Sequence, residues 1–213
     1  MQNILFDFDG TLADSGATVA LATQAAFRDF ALPEPSTETI AYYMGIPIET
    51  SFKAMIPNHN FTPTTYDALL NRFREHAQAL ESSQVTLIPG ITATLSDLKA
   101  NGHTLFIVTS KPTQVLERNL ERLGIMSFFT DWIGSDQVAH YKPAPDGILI
   151  LLDRYQLNPD NTVMVGDATH DLQMGKAAGV KTAAVTWGAH TQTALKSEKP
   201  DWLCQTTPEL TQL

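Results

Sequence analysis

Short, continuous apolar runs alternate with helical repeats through most of this chain. The runs lie at 3–8 (with Ile4, Leu5 and Phe6 at the centre), 104–108, 131–133, 162–165 and 182–185, with a weaker sixth near 201–204. Each is short, rich in β-formers and lacks polar alternation, which is the pattern of strands covered on both faces. Between them lie helical segments. Residues 91–101, 112–123 and 170–178 end at Gly102, Gly124 and Gly179, the usual helix-stop position, and 145–155 is a fourth. From residue 91 onward this alternation predicts an α/β fold with a doubly wound parallel sheet.

Residues 16–83 break the alternation and contain no convincing strand. Segment 18–31 reads helical and stops at Pro33 and Pro35, and 36–44 reads helical with Gly45 as its stop. Segment 47–56 is a third helix candidate with Pro47 near its first position, and 64–82 is a long amphipathic helix. The expected organisation is an α/β core from 1–15 and 84–213, with a helical domain inserted at 16–83.

Composition narrows the class. The 213 residues hold 14 Lys plus Arg against 23 Asp plus Glu, a formal net charge of −9, and are 43% hydrophobic and 17% charged. That apolar share is enough for a folded chain, and the length suits one domain with a smaller insert. The acidic balance argues against nucleic-acid binding, which would call for a basic face. It leaves open a small anion bound by local groups. Cys204 is the single cysteine, which excludes an internal disulfide or multi-cysteine zinc site and fits a reducing compartment. The opening MQNILFDFDGTLADS has neither the basic start nor the apolar stretch of a signal peptide. No run approaches the ~18 apolar residues of a membrane span. The expectation is a soluble cytoplasmic protein without membrane contact, acting as a monomer or homodimer.

Parallel sheets bind ligands beyond the carboxyl ends of their strands, so the residues that follow each run carry the chemistry. The first run leads into Asp7-Phe8-Asp9-Gly10-Thr11, the second into Thr109-Ser110-Lys111, and the run at 162–165 into Gly166-Asp167-Ala168-Thr169-His170-Asp171. His140-Tyr141-Lys142-Pro143-Ala144-Pro145-Asp146 lies between the latter two. Asp7 and Asp9, two apart in an extended segment, are expected to face the same way, and Asp167 joins them from another strand. Carboxylates crowded at a partly buried edge repel and resist desolvation. A hard divalent cation removes that conflict, and Mg²⁺ takes oxygen ligands and phosphate oxygens together. Taken singly, Asp9-Gly10 is a turn, Gly166-Asp167 a loop with a helix cap, Thr109-Ser110 a helix start and Lys142 a surface lysine. Four such elements at strand ends, in one order, carry the argument.

In that order these residues resemble the haloacid dehalogenase-like (HAD) hydrolase superfamily over essentially the whole chain. Asp7-Phe8-Asp9-Gly10-Thr11-Leu12 with Asp14-Ser15 resembles its first motif, Thr109 its second, Lys142 in Lys-Pro-Ala-Pro-Asp its third, and Gly166-Asp167 with Asp171 its fourth. The insert resembles the helical C1 cap of the phosphoglycolate phosphatase and β-phosphoglucomutase branch, on a Rossmann-like core. Ser110 stands where close relatives often carry Asn, and Ala168 where they often carry Thr or Ser. Neither departure removes a catalytic group.

The resemblance implies phosphoryl transfer through an aspartyl-phosphate, with a small phosphorylated metabolite as substrate. Asp7 would be the nucleophile, and Asp9 the acid toward the leaving oxygen and then the base toward water. Mg²⁺ would be held by Asp7, the Asp9 carbonyl and Asp167, with Asp171 acting through water or by orienting Lys142. Thr109 and Lys142 would hold the phosphoryl oxygens, together with main-chain N–H groups of the loop at Gly10 and Thr11. Ser110 and Gly45 complete the expected substrate contacts, Gly45 within the cap loop Met44-Gly45-Ile46-Pro47-Ile48. Lys53, Arg72 and Arg74 are candidates for a second anionic group. His59, His76 and His170 stand open between substrate contact and solvated side chain, His170 being read as a helix-start surface residue rather than a catalytic one, and Trp132, Trp187 and Trp202 are read as packing. Phosphoglycolate leads the implied substrates, with sugar phosphates, nucleoside monophosphates and pyrophosphate also open. A phosphomutase shares all four motifs and would return the phosphoryl group to a sugar. A phospho-accepting receiver module would carry its acceptor Asp on a later strand, and a dehalogenase would not need the acidic fourth motif.

Overall fold

The computed structural model describes residues 2–213. The chain begins with β1 (Asn3–Phe6) and β2 (Ala13–Asp14) and enters four helices: α1 (Gly16–Asp29), α2 (Thr37–Tyr42), α3 (Ile48–Met55) and α4 (Pro63–Gln84). It returns through β3 (Thr86–Leu87), α5 (Ile91–Ala100), β4 (Thr104–Val108), α6 (Thr113–Arg122) and β5 (Asp131–Ile133). It ends with α7 (Asp146–Arg154), β6 (Thr162–Gly166), α8 (Thr169–Ala177), β7 (Lys181–Val185), α9 (Gln192–Ser197) and β8 (Trp202–Cys204). None of the described helices is long and apolar enough to cross a membrane.

Six strands form one parallel sheet in the order β5-β4-β1-β6-β7-β8. The continuous apolar runs are explained by two-sided burial. Ile4 and Phe6, Leu105 and Ile107, and Val163 and Val165 point into one core, against Ile91, Leu95, Leu116 and Leu120 of α5 and α6. Their neighbours Leu5, Phe106, Val108 and Met164 point into the other, against Ile148, Leu151 and Met174 of α7 and α8. The period of two thus sorts the apolar residues of these strands into two layers, with no polar alternation between them. β1 lies between β4 and β6, so the strand order reverses there. The carboxyl ends of these three neighbours are where such a sheet opens a crevice.

β1 is shorter than its apolar run. The strand stops at Phe6 because the Phe8 carbonyl turns out of the ladder to accept the N–H groups of Leu12 and Ala13, both at 3.0 Å. Asp7 and Asp9 therefore sit on a loop, not a strand. Gly10 makes the bend at φ +82°, and its N–H donates to the Ala13 carbonyl at 2.8 Å.

Helices α1 to α4 surround an apolar cluster of their own, with Phe27, Phe52, Leu69, Leu70 and Phe73 at its centre. The Phe52 ring stands edge-on to Phe27 at 5.1 Å and to Phe73 at 5.3 Å. The Thr62 side chain accepts from the Thr65 N–H and Pro63 occupies the first turn, so α4 starts where its cap and proline dictate. The chain enters and leaves this helical unit through an antiparallel pair, β2 with β3. Two residues per strand are too few for any periodicity, so the pair leaves no signature in the sequence.

Candidate active site

Asp7 follows β1, Thr109 follows β4, and Asp167 follows β6. Asp171 lies in the first turn of α8, and Lys142 lies on the loop before α7. Carboxylate oxygens of Asp7, Asp167 and Asp171 all lie within 4.8 Å of one another, and all three residues are buried. The Lys142 ammonium sits among them, donating to Asp7 Oδ1 at 2.6 Å and to Asp171 Oδ1 at 2.7 Å. The second oxygen of Asp171 accepts the Ala168 N–H at 3.0 Å. Asp167 is fixed from both sides, by the Thr11 hydroxyl at 2.8 Å and the Ala189 N–H at 2.7 Å.

Three carboxylates and one ammonium leave an excess of negative charge in a dry place. Burial pushes the Asp7 carboxyl well above its ordinary range; Lys142 opposes this, while Asp171 and Asp167 add to it. Burial, with the Asp171 charge, also lifts Asp167 to about 7. Burial alone would lower the Lys142 ammonium, but the charges of Asp171 and Asp7 outweigh it and hold the group above its usual value. Such a set is poised for a cation. Its donors are hard carboxylate oxygens, which suit Mg²⁺ and not a thiophilic metal. The backbone makes room for the set: a Cβ on Gly10 would lie 2.3 Å from Asp167 Oδ2, and one on Gly188 would lie 2.2 Å from it.

Asp9 does not join this cluster. Its Oδ1 accepts the Ser15 hydroxyl at 2.6 Å and pairs with the Lys111 ammonium at 2.9 Å. Asp7 and Asp9 nonetheless line the same cavity, about 370 Å³ between the sheet edge and helices α1 to α4. Thr109 is buried at its mouth, and its hydroxyl accepts the Lys111 N–H at 3.2 Å. The Gly45 loop reaches the sheet edge, where the Ser110 hydroxyl donates to the Gly45 carbonyl at 2.7 Å. Ser110 thus spends its hydroxyl on the helical unit. Thr11 spends its hydroxyl on Asp167 and its N–H on the Phe8 carbonyl at 3.4 Å. Gly10 and Thr11 shape the loop and brace an acid.

Of the candidate cations, Lys53 lies 4.5 Å over the Tyr66 ring, and Arg72 pairs with Asp29 at 2.5 Å and Glu75 at 2.8 Å; neither lines the cavity. Arg74 does line it, paired with Glu49 at 2.6 Å. His59 packs on Phe61 at 4.4 Å, and His76 contacts Asp29 at 2.8 Å. His170 is half-buried beside the Gly45 loop rather than a surface residue, and burial lowers its pKa. Trp132 and Trp187 donate to Glu117 and to the Thr11 carbonyl, both at 3.1 Å, and Trp202 packs under Lys181. Sequence reasoning assigned no role to Lys111, Ser15 or the Ala189 amide. Lys111 was within reach, since it follows Thr109 at a strand end. A main-chain N–H contributed by a loop 22 residues from its acceptor has no sequence signal.

A family model described as haloacid dehalogenase-like hydrolase matches residues 4–185. "Probable phosphatase IndB" of Dickeya dadantii is 35% identical over 97% of this chain and 90% of its own length. "Pyrophosphatase PpaX" of Oceanobacillus iheyensis is 33% identical over 96% of this chain and 92% of its own. "Phosphoglycolate phosphatase" of Aliivibrio fischeri is 30% identical over 93% and 89%. The solved structure of a haloacid dehalogenase-like family hydrolase from Streptococcus pneumoniae superposes with a TM-score of 0.86 at 28% identity, covering 99% of this chain and 96% of that one. With the order of acids, hydroxyl and lysine around the sheet edge, these matches place the chain in the haloacid dehalogenase-like hydrolase family.

Proposed function

We propose that the protein is a Mg²⁺-dependent phosphatase that hydrolyses a small-molecule phosphate monoester through an aspartyl-phosphate on Asp7. The observation that carries this reading is the buried group of Asp7, Asp167 and Asp171 bridged by Lys142. Relatives named phosphatase, pyrophosphatase and phosphoglycolate phosphatase support it. In this reading residues 16–83 form a cap over a core of 1–15 and 84–213, and the cavity between them receives the leaving group.

Asp7 attacks phosphorus while the bond to the leaving oxygen breaks. Lys142 holds the Asp7 carboxylate in place by its Oδ1 and, with Thr109, faces the phosphoryl oxygens on which charge accumulates. Asp9 gives its proton to the leaving oxygen and then takes one from the water that attacks the aspartyl-phosphate. Phosphate departs and Asp7 is restored. Ser15 and Lys111 both grip Oδ1 of Asp9, which leaves Oδ2 to exchange that proton. Mg²⁺ would be held by Asp7, the Asp9 carbonyl and Asp167, and would supply charge neutralisation there. Asp171 acts as a positioning residue through Lys142. The Ser110–Gly45 hydrogen bond draws the cap loop down and limits bulk water.

The test is release of inorganic phosphate from a panel of metabolite phosphates, with and without Mg²⁺, by the wild-type chain and Asp7→Asn. Metal-dependent release lost in the variant supports the reading. Isomerised sugar phosphate without net release would point to a phosphomutase.

A further inference from the structure

The cavity above Asp7 holds its cations in ion pairs with acids. Lys142 lies off this wall, held by Asp7 and Asp171; among the described residues the cations on the wall are Lys111, Arg74 and Arg118. Each has an acidic partner: Lys111 has Asp9 at 2.9 Å, Arg74 has Glu49 at 2.6 Å, and Arg118 has Glu81 in a two-pronged contact at 3.0 and 2.5 Å. Glu81 sits on α4 and Arg118 on α6, so this last pair closes the wall where cap meets core. A carboxylate or second phosphate entering here would meet Asp9, Glu49 and Glu81 along with the cations, and would compete with a carboxylate already in place at each of them.

The rest of the wall agrees. Val19, Ile40, Met44, Phe52 and Met55 supply an apolar lining. The other polar side chains of the wall, among them Tyr43, Gln78 and Gln114, are uncharged. A space of about 370 Å³ also far exceeds the few atoms of a glycolate or phosphate leaving group, and lies in the range of pockets that enclose a whole small molecule.

We propose, resting on the phosphatase reading above, that the substrate is the phosphate monoester of an uncharged and largely apolar alcohol, and that phosphoglycolate and pyrophosphate are poor substrates. The shared chemistry at Asp7 takes the phosphoryl dianion, and the cap selects against a further anion through its paired arginines and carboxylates.

The experiment measures phosphate release with Mg²⁺ from 2-phenylethyl phosphate, phosphoglycolate and pyrophosphate, for the full chain and for Glu81→Gln. The expected result is a kcat/KM for 2-phenylethyl phosphate at least about tenfold above that for either competitor, whose leaving group carries a further negative charge. In Glu81→Gln, Arg118 loses its partner, and the preference over phosphoglycolate should narrow by about severalfold. Asp7-dependent hydrolysis of phosphoglycolate or pyrophosphate that equals or exceeds that of 2-phenylethyl phosphate would overturn the proposal and leave the phosphatase reading intact. An unchanged preference in a folded Glu81→Gln variant would overturn the role of charge pairing. Absence of release from all three compounds would overturn the proposal, and release from other members of the metabolite panel would leave the phosphatase reading standing.

Discussion

The ammonium of Lys142 lies 2.6 Å from Asp7 and 2.7 Å from Asp171, tying together two carboxylates that are 164 residues apart in the chain. All three groups are buried. The lysine therefore does two things at once: it offsets the charge of two buried acids, and it fixes the orientation of Asp7, the proposed nucleophile.

Removing that cation should be costly. Lys142→Met leaves Asp7 and Asp171 without their shared partner, and breaking a buried ion pair typically costs about 3–5 kcal/mol. The variant is expected to lose turnover and to unfold at lower denaturant concentration than wild type. Denaturant titration with an unchanged midpoint would contradict the bridging role.

Metal binding should be linked to pH with a definite sign. Asp7 and Asp167 have folded pKa values raised above the ordinary 3.8, Asp167 to about 7. Such groups favour the fold below their unfolded pKa, and that contribution is lost as pH rises through the folded value. In the metal-free protein the loss falls between the ordinary carboxylate range and about 7. A divalent cation needs these groups ionised, so it restores most where protons no longer compete. Thermal stabilisation by Mg²⁺ should be greater at about pH 8 than at about pH 5.5. An increment that is equal at both, or larger in acid, would speak against metal binding at these acids.

Much of this arrangement is legible in the sequence, and the reason is geometric. A strand buried on both faces reads as an unbroken apolar run, so 104–108 and 131–133 appear in the structure as β4 (Thr104–Val108) and β5 (Asp131–Ile133). Parallel strands also deliver the residues that follow them to one edge, which makes Asp7, Thr109 and Asp167 neighbours by topology. What the sequence hides is set by loop conformation. Phe8 continues the apolar run, yet its carbonyl turns away, and this separates Asp9 from the acid cluster and gives it to Lys111 and Ser15. Arg74 reads as a possible anion contact or a solvated charge until Glu49 is seen against it.

Gly10 couples the loop to the acids. At φ +82° a side chain costs about 1–2 kcal/mol from the backbone alone. A Cβ there would also lie 2.3 Å from Asp167 Oδ2. Gly10→Ala is expected to displace Asp167 and so to reduce both stability and the Mg²⁺-dependent rise in melting temperature. Calorimetry with a wild-type Mg²⁺ response in this variant would contradict the coupling.

Asp9 should matter most when the leaving group is poor. Asp9→Asn removes the proton donor, a loss of about 10²–10⁴ in rate where general acid catalysis is needed. The loss should be large with 2-phenylethyl phosphate and much smaller with p-nitrophenyl phosphate, whose leaving oxygen needs no proton. Equal losses of kcat with the two esters would remove Asp9 from the acid role.

The most direct test of the account is to trap the phosphoryl group on the protein. Wild-type enzyme turning over a phosphate ester is quenched in acid, reduced with borohydride and mapped by peptide mass spectrometry. The account predicts conversion of Asp7 to homoserine, dependent on substrate and absent in Asp7→Asn. Steady turnover with Asp7 unmodified, or with the modification at Asp9, Asp167 or Asp171, would contradict it.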